Sequence, residues 1–170
     1  DGKAFLELWK GKIDGYMSQL HGGKPGTAGA AASGSVAAQA IPGDSPPAIL
    51  ARTILKNMHP KSTRKCAHYV SKGLRAAGYY CRDGHAKDYI ETNMKPGGWK
   101  QIDINSPNQI GDIVCWSGVP KHEWGHVQVW CGEKWVSDFP QNRLAAWGDL
   151  GGSVATRWRD PRFMTGIPNG

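Results

Sequence analysis

Cys66 is the residue with the clearest chemical potential in this chain. It follows Ser62 and Thr63, which are good N-cap residues because a hydroxyl can accept a hydrogen bond from a backbone N–H that a helix leaves unpaired. A thiol in the first turn of a helix lies at the positive end of the helix dipole, and Arg64 and Lys65 add positive charge. Both effects favour the thiolate, which is the nucleophilic form of cysteine. We therefore predict a reactive cysteine here, against the alternative of an inert core cysteine.

His126 admits two chemical interpretations, of which the first is a zinc site. Residues 122–126 match the pattern H-E-x-x-H, in which two histidines one helical turn apart bind zinc and the glutamate serves as the base. That chemistry requires a helix, and the context opposes one, because a glycine interrupts the motif and alternating strand residues follow it. A zinc metallopeptidase that uses His122, Glu123 and His126 is therefore the alternative prediction.

The second interpretation places His126 at the start of a strand that faces Cys66. A thiol nucleophile needs a base within hydrogen-bond reach and a further polar group that orients the imidazole. Asp138 follows the second strand of a predicted hairpin, where its carboxylate can lie beside His126 and accept the other ring N–H. Cys66, His126 and Asp138 then serve as nucleophile, base and orienting residue. Such a mechanism needs no metal or other cofactor, so we expect none.

Two helices must position the cysteine. After Cys66, apolar side chains recur at helical spacing and Gly78 provides a stop. An earlier helix begins at Asp44 or Ser45 and ends before Pro60. Because the connection between the two is short, we expect them to pack together.

A sheet must position the histidine and the aspartate. Short alternating or apolar runs predict strands, and one polar stretch predicts a short helix near residues 86–93. The predicted strands span residues 99–104, 110–116, 127–130, 134–136 and 154–158. The second of these runs is apolar throughout, which indicates burial on both faces. Helices followed by an antiparallel sheet define an α+β fold.

The composition divides the chain into three segments. Residues 1–22 carry apolar side chains at the spacing of an amphipathic helix, and residues 23–48 are rich in Gly, Ala, Ser and Pro, as in a linker. Residues 49–170 then hold the predicted hydrolase domain. The 170 residues are enough for one domain with a core, and they contain no apolar run long enough to span a bilayer, so we expect no transmembrane segment.

The net charge of +7 favours an anionic partner or surface, such as an acidic cell-wall polymer, lipid headgroups or nucleic acid. Lys and Arg are scattered and no nucleic-acid motif occurs, so we expect no nucleic-acid partner. The four cysteines form no C-x-x-C pair, which argues against structural zinc. If Cys66 stays free, at most one disulfide can form among Cys81, Cys115 and Cys131.

Four short motifs occur in the order typical of one enzyme group. Cys66 at a helix start is followed by Gly111-Asp112-Ile113-Val114-Cys115-Trp116, by Gly125-His126-Val127-Gln128-Val129-Trp130 and by Trp135-Val136-Ser137-Asp138-Phe139. Over about residues 49–160 the chain thereby resembles the NlpC/P60 and CHAP group of papain-like cysteine peptidases and amidases. The resemblance implies a papain-like α+β fold, with N-terminal helices packed on a small antiparallel β-sheet. It also implies hydrolysis of amide bonds in peptidoglycan.

Residue roles follow from the resemblance. It implies that Cys66 is the nucleophile, that His126 is the general base and then the acid, and that Asp138 orients the imidazole. It also implies a structural role for Asp112. The sequence departs from the group at Cys66, which lies in Lys-Cys-Ala-His where relatives carry D-C-S-G or Q-C-T-W.

Aromatic residues near these positions are candidates for substrate contacts. His68 and Tyr69 flank the nucleophile, and Trp124 lies in the loop just before the histidine. We expect these three to line the substrate cleft. Trp116 and Trp130 lie in apolar strands, so we expect both to pack in the core.

The resemblance leaves the biological setting open. The third residue of the candidate site is an aspartate. In this respect the chain resembles CHAP-type lysins and the amidase toxins that bacteria inject into rivals, type VI effectors among them. We expect a peptidoglycan endopeptidase or an N-acetylmuramoyl-L-alanine amidase, secreted or delivered to the periplasm or cell wall of a bacterium. Its substrate would be the stem peptide, and a toxin would have an immunity protein as partner. A non-catalytic module that binds the wall or a partner is a further alternative.

Overall fold

The first helix begins where its sequence provides a cap. The computed structural model describes residues 41–118, 122–142, 144 and 155–164. Helix α1 spans Pro46–Asn57, and the Ser45 hydroxyl at its N-cap accepts a hydrogen bond from the N–H of Ala48. Prolines suit the first turn because the N–H that they lack would have no partner there. The helix predicted after Asp44 or Ser45 is thus confirmed.

The predicted amphipathic helix at residues 1–22 lies outside the described residues, as does the predicted linker up to residue 40. The last part of that linker packs on the domain. Ile41 is buried in the main core, and the Arg52 guanidinium donates to the backbone carbonyls of Ile41 and Gly43. No helix in the described part of the chain is long and apolar enough to cross a bilayer.

Helix α2 spans Cys66–Ala76, so the cysteine is its first residue. Lys65 occupies the N-cap position, and its side chain makes no capping hydrogen bond. The prediction that Ser62 and Thr63 cap this helix is therefore wrong. Both hydroxyls instead point to the carboxylate of Asp138, far away in the sequence.

The two helices pack against each other, as predicted. A Cβ on Gly73 of α2 would come within 2.8 Å of the Leu50 side chain and 2.9 Å of the Ile54 side chain on α1. The small residue therefore lets the helices approach closely, and Leu50, Ile54, Val70 and Leu74 are completely buried. Each buried aliphatic side chain contributes about 1.5–3 kcal/mol, so this contact fixes α2, and with it Cys66, on the fold.

The sheet has six antiparallel strands in the order β1-β6-β2-β3-β4-β5. A 3-10 turn at Ala86–Asp88 and a π-helical turn at Ile90–Met94 occupy the place of the single short helix predicted near residues 86–93. The strands are β1 (Lys100–Ile102), β2 (Ile113–Trp116), β3 (His126–Trp130), β4 (Trp135–Val136), β5 (Pro140–Gln141) and β6 (Ala155–Arg159), followed by a 3-10 turn at Pro161–Phe163. All five predicted strands are confirmed: β1, β2 and β4 are shorter than predicted, β3 begins one residue earlier, and β6 is shifted by one residue, whereas β5 was not predicted.

Strand β2 lies in the middle of the sheet and is buried on both faces, as its apolar run indicates. Ile113 and Cys115 belong to the core cluster shared with the two helices, whereas Val114 and Trp116 pack with Trp135 in a second cluster. Trp116 is buried as predicted, and Trp130 packs at the edge of the second cluster. The four cysteines all lie within the described residues, and all four thiols are free.

The buried carboxylate of Asp112 anchors the start of β2. It accepts hydrogen bonds from the N–H of Gln109, and both of its oxygens pair with the Arg159 guanidinium on β6 at 2.7 Å. A bidentate pair of this kind fixes geometry as well as charge. This agrees with the structural role expected for Asp112.

The glycine of the Gly111-Asp112 motif has a packing reason to lack a side chain. Gly111 has φ +88°, and a Cβ there would lie 2.6 Å from Cβ and 3.0 Å from Cα of Pro47 at the start of α1. Gly43 has nearly the same φ, +85°, but a Cβ on Gly43 would meet nothing within 4 Å. A comparison of Gly43 with Gly111 therefore separates the free-energy cost of the backbone conformation from the cost of the close contact with Pro47.

We predict that Gly43→Ala lowers the free energy of unfolding by about 1 kcal/mol, because a left-handed conformation disfavours L side chains. Gly111→Ala should cost about 1 to 3 kcal/mol more, because it also overpacks the junction between α1 and β2. Urea denaturation followed by circular dichroism measures both values. Equal losses in the two variants would contradict the close contact with Pro47.

Candidate active site

The nucleophile candidate lies at the junction between α2 and the sheet. Cys66 is half-buried, and α2 packs on β3, the strand that begins with His126. Burial raises the pKa of the Cys66 thiol, and the negative charge of Asp138 acts in the same direction. Hydrogen bonding from the backbone of Val127, Ala67 and Cys66 opposes this without outweighing it. The prediction that the site favours the resting thiolate is therefore wrong, because sequence shows the helix dipole but not the loss of solvent.

His126 is buried, and its ring contacts the ring of Trp116 in a tilted arrangement, with 5.5 Å between the ring centroids. The side-chain amide of Gln141 on β5 faces its Nε2 atom, with the amide oxygen at 3.1 Å and the amide nitrogen at 2.8 Å. Burial lowers the pKa of His126, while the hydrogen bond to Gln141 and the charge of Asp138 raise it by less. An amide can pair with either state of a ring nitrogen, because its oxygen accepts and its NH₂ group donates.

Asp138 lies directly beyond β4, and its side chain is buried. One carboxylate oxygen accepts from the backbone N–H of Thr63 at 2.5 Å and from the Thr63 hydroxyl at 2.9 Å. The other accepts from the Ser137 hydroxyl at 3.0 Å. Burial alone would raise the pKa of Asp138, but these donors outweigh it and hold the pKa below its usual range. The carboxylate therefore stays charged and ties the segment before Cys66 to the end of β4.

The segment that Asp138 holds contains an unusual backbone conformation. Arg64 has φ 61°, and no other non-glycine residue in the described ranges has a positive φ. The Lys65 N–H lies 3.5 Å from the same carboxylate oxygen, so donors on both sides of Arg64 point to one anion. Such a conformation costs about 1–3 kcal/mol and persists only where its surroundings enforce it. Here it turns the chain sharply into the first residue of α2.

The two partners of the candidate pair are both shifted toward their neutral forms. The thiol pKa is raised and the imidazole pKa is lowered, so at neutral pH the resting site holds a protonated thiol and a neutral imidazole. A neutral imidazole can act as a general base, and a buried thiol can lose its proton to it as a bond to an electrophile forms. The arrangement fits deprotonation during attack.

The three predicted substrate contacts fall into two places. His68 is exposed and Tyr69 is half-buried, with its hydroxyl 2.6 Å from Nε2 of His59. Trp124 is 55% exposed and lies in the turn before β3, with the His85 ring at 4.5 Å. His68 and Tyr69 thus lie in the first turn of α2 and Trp124 in the turn before β3, and their contact with a substrate stays a prediction.

The H-E-x-x-H segment does not form a helix. His122 makes an isolated bridge, the next residues form a turn, and β3 begins at His126. Gly125 has φ +68°, and a Cβ there would lie 2.4 Å from the carbonyl oxygen of Trp116. The helix that the zinc motif needs is therefore excluded by this backbone, as the sequence context indicated. Among the described residues no three His, Cys, Asp or Glu side chains converge as a metal site would require.

The same α+β arrangement occurs in a type VI effector–immunity complex. A chain in the crystal structure of the native Tae3–Tai3 complex from Ralstonia pickettii matches with a TM-score of 0.59 and 28% sequence identity, over 68% of this chain and 98% of that chain. A chain in the selenomethionine form of this complex matches with a TM-score of 0.57 and 25% identity, over 64% and 97% of the two chains. No protein-family model and no curated protein matches this chain, so membership of the NlpC/P60 and CHAP group stays a prediction.

Sequence reasoning missed Gln141. It lies on β5, a strand of only two residues that begins with Pro140, and such a strand has no periodicity to reveal which face its side chains occupy. Its register opposite Trp135 places its amide on the histidine. No motif marks the residue, and only the sheet topology brings it to Nε2 of His126.

We predict that iodoacetamide alkylates Cys66 of the folded protein with a pH midpoint above that of Cys66 in the urea-unfolded chain, where it should lie near ~8.5. Only the thiolate reacts, and burial makes the thiolate rarer at a given pH. Peptide mapping by mass spectrometry over pH 6 to 10 gives both curves. A folded midpoint below the unfolded one would show that the dipole and the basic neighbours dominate after all.

We predict that Asp138→Asn lowers the free energy of unfolding at pH 7 by about 1.5–3 kcal/mol, the usual value of hydrogen bonds to a charged group. Because the folded pKa lies below the unfolded one of about 3.9, the stabilisation is complete above that value and is lost as the pH falls through the folded pKa. The difference from the wild type should therefore shrink below about pH 4.

Urea titrations at pH 7 and pH 3 test this. Asp83→Asn is the matched control, because Asp83 is an exposed carboxylate that pairs with Arg75 at 2.6 Å. Exposed pairs contribute little, so this variant should stay within about 0.5 kcal/mol of the wild type at both pH values. An Asp138→Asn loss that is the same at pH 3 and pH 7 would contradict a charged Asp138.

Proposed function

We propose that this chain is an antibacterial hydrolase that cleaves an amide bond in the stem peptide of peptidoglycan with a cysteine nucleophile. The observation that carries the proposal is the junction itself. Cys66 is the first residue of a helix that packs on β3, and β3 begins with the buried His126. A thiol at a helix start beside a strand histidine is an arrangement suited to acyl transfer.

The reaction begins with the neutral pair. His126 takes the proton of the Cys66 thiol as the sulfur attacks the carbonyl carbon of the substrate amide, so that a C–S bond forms and the carbonyl oxygen becomes an oxyanion. The backbone N–H of Cys66 is available to the oxyanion, because a helix leaves its first N–H groups without intrahelical partners. The C–N bond then breaks as the imidazolium donates its proton to the leaving amine. Water, deprotonated by the same imidazole, hydrolyses the thioester and restores the thiol.

Two further residues support this pair in the proposal. Gln141 orients the imidazole through Nε2, a role expected from sequence for Asp138. Asp138 holds the Thr63–Lys65 segment that presents Cys66, and its charge lies close enough to raise the pKa of both members of the pair. Asp138 therefore contributes to the site mainly through the position of the nucleophile.

The similarity to an effector–immunity complex supports the biological part of the proposal. We infer that the chain acts in the periplasm of a target bacterium after delivery by a type VI system, and that the producing cell is protected by an immunity protein. The net charge of +7 suits an enzyme that works on an anionic wall polymer. Both a stem endopeptidase and an N-acetylmuramoyl-L-alanine amidase fit the chemistry, and the masses of the products distinguish them.

We predict that the wild type releases soluble fragments from purified peptidoglycan and that Cys66→Ala abolishes release, because no other group in the proposed mechanism forms the acyl-enzyme. His126→Ala should lower kcat at least about a thousandfold, since base and acid are lost together. Gln141→Ala should lower kcat by about ten- to a hundredfold with little change in KM, because the histidine stays present but loses a hydrogen bond that orients its ring. Liquid chromatography with mass spectrometry follows the products.

Cys81→Ala is the matched control for the nucleophile, because Cys81 is also half-buried and free, and this variant should keep full activity. Glu123→Gln and treatment with EDTA should leave activity unchanged as well. Activity that survives Cys66→Ala but is lost with EDTA or Glu123→Gln would replace the proposal with the zinc mechanism. The absence of cleavage in every sample would leave a wall- or partner-binding module.

A further inference from the structure

An exposed tryptophan stands beside the candidate histidine. Among the described residues only Tyr80 and Trp124 are large hydrophobic side chains with high exposure, at 48% and 55%. Trp124 is two residues before His126, so their Cα atoms are at most about 7 Å apart. The exposed indole leaves an aromatic surface against which a ligand can pack.

The turn that carries Trp124 is clamped rigidly in place. The N–H of Lys87 donates to the carbonyl oxygen of Trp124 at 2.8 Å. A Cβ on Gly125 would lie 2.8 Å from Cα of Lys87, so the turn and the 3-10 turn at Ala86–Asp88 are in direct backbone contact. The tryptophan ring is thereby presented at a fixed position relative to β3, as a recognition surface requires.

A positive charge accompanies the ring. Lys87 places its Nζ atom 5.3 Å from the centroid of the Trp124 ring, and the His85 ring packs against the same tryptophan at 4.5 Å. The neighbouring carboxylates of Asp88 and Glu123 are exposed, and neither forms an ion pair with Lys87 within the described part of the chain. The ammonium group is therefore available to an anionic ligand.

We propose that His85, Lys87 and Trp124, which we call the Trp124 platform, bind a free carboxylate of the wall peptide close to the scissile amide. The Cα atoms of Trp124 and His126 are separated by no more than about two residues of an extended peptide, at about 3.5 Å per residue. The indole face packs on the aliphatic part of the peptide while the Lys87 ammonium pairs with the carboxylate. This inference rests on the proposed function, and it names the part of the substrate that the site selects.

The test uses two substrates and a matched pair of lysine variants. The first substrate is a set of muropeptides purified from a wall digest, and the second is the same set with its carboxylates converted to carboxamides by carbodiimide and ammonia. Lys87→Gln removes the charge at the platform, and Lys100→Gln removes an exposed charge on β1 at the far edge of the sheet.

We expect Lys87→Gln to lower kcat/KM on the free-carboxylate substrate about tenfold, mainly through KM, as for the loss of one charge-assisted hydrogen bond. Amidation of the substrate should lower kcat/KM of the wild type and of Lys100→Gln about equally. Amidation should lower the kcat/KM of Lys87→Gln by a much smaller factor, because this variant already lacks the ammonium group that pairs with the carboxylate. Trp124→Ala should weaken the binding of both substrates, whereas Trp124→Phe should keep most of the activity on both.

An amidation effect of the same size in Lys87→Gln and in the wild type overturns the inference, even if the enzyme cleaves the wall. Binding is also measured by calorimetry with Cys66→Ala and with the double variant Cys66→Ala/Lys87→Gln. If the wild type does not cleave but Cys66→Ala binds muropeptides in a manner that requires Lys87, the platform is supported and the proposed function fails. If neither cleavage nor Lys87-dependent binding occurs, both are wrong.

Discussion

The rest of the site depends on one buried carboxylate. The main-chain oxygen of Asp138 accepts the N–H of His59 at 2.7 Å, and its side chain accepts the N–H of Thr63. One residue at the end of β4 therefore holds both ends of the loop between α1 and α2. Because β4 pairs with β3, the same residue also fixes how the start of α2 approaches the strand that begins with His126. The candidate nucleophile, Cys66, is therefore positioned by the sheet as much as by its own helix.

Close backbone contacts complete this arrangement and explain the glycines in two of the sequence motifs. Gly111 leaves room for Pro47 at the start of α1, and Gly125 leaves room for the carbonyl of Trp116 and the backbone of Lys87. The first contact joins the turn before β2 to α1, and the second joins the turn before β3 to β2 and to the 3-10 turn at Ala86–Asp88. Arg64 is the complementary case, because its left-handed conformation is held by the donors on either side of it rather than permitted by a missing side chain.

The parts of this structure that depend on local periodicity could be predicted from sequence. The two helices, their contact and five strands follow from apolar spacing, from the cap at Ser45 and from the stops after each helix, whereas the cap predicted for α2 was wrong. The partner of the Thr63 hydroxyl could not be predicted, because Asp138 lies 75 residues away and no local pattern connects the two. The direction of the Cys66 pKa was wrong for a related reason, since burial arises from tertiary packing. Gln141 was missed because a two-residue strand carries no pattern.

The neighbours of the candidate pair differ in how they act on its pKa values. In the proposed mechanism a proton moves from Cys66 to His126, and the charge of Asp138 raises the pKa of both groups. This charge therefore opposes loss of the proton by the thiol and favours its gain by the imidazole. The hydrogen bond to Gln141 raises the imidazole pKa, while the backbone of Val127 lowers the thiol pKa. Both neutral groups thus act in the direction of the ion pair that the proposed mechanism forms, and in that mechanism Asp138 holds the segment that precedes Cys66.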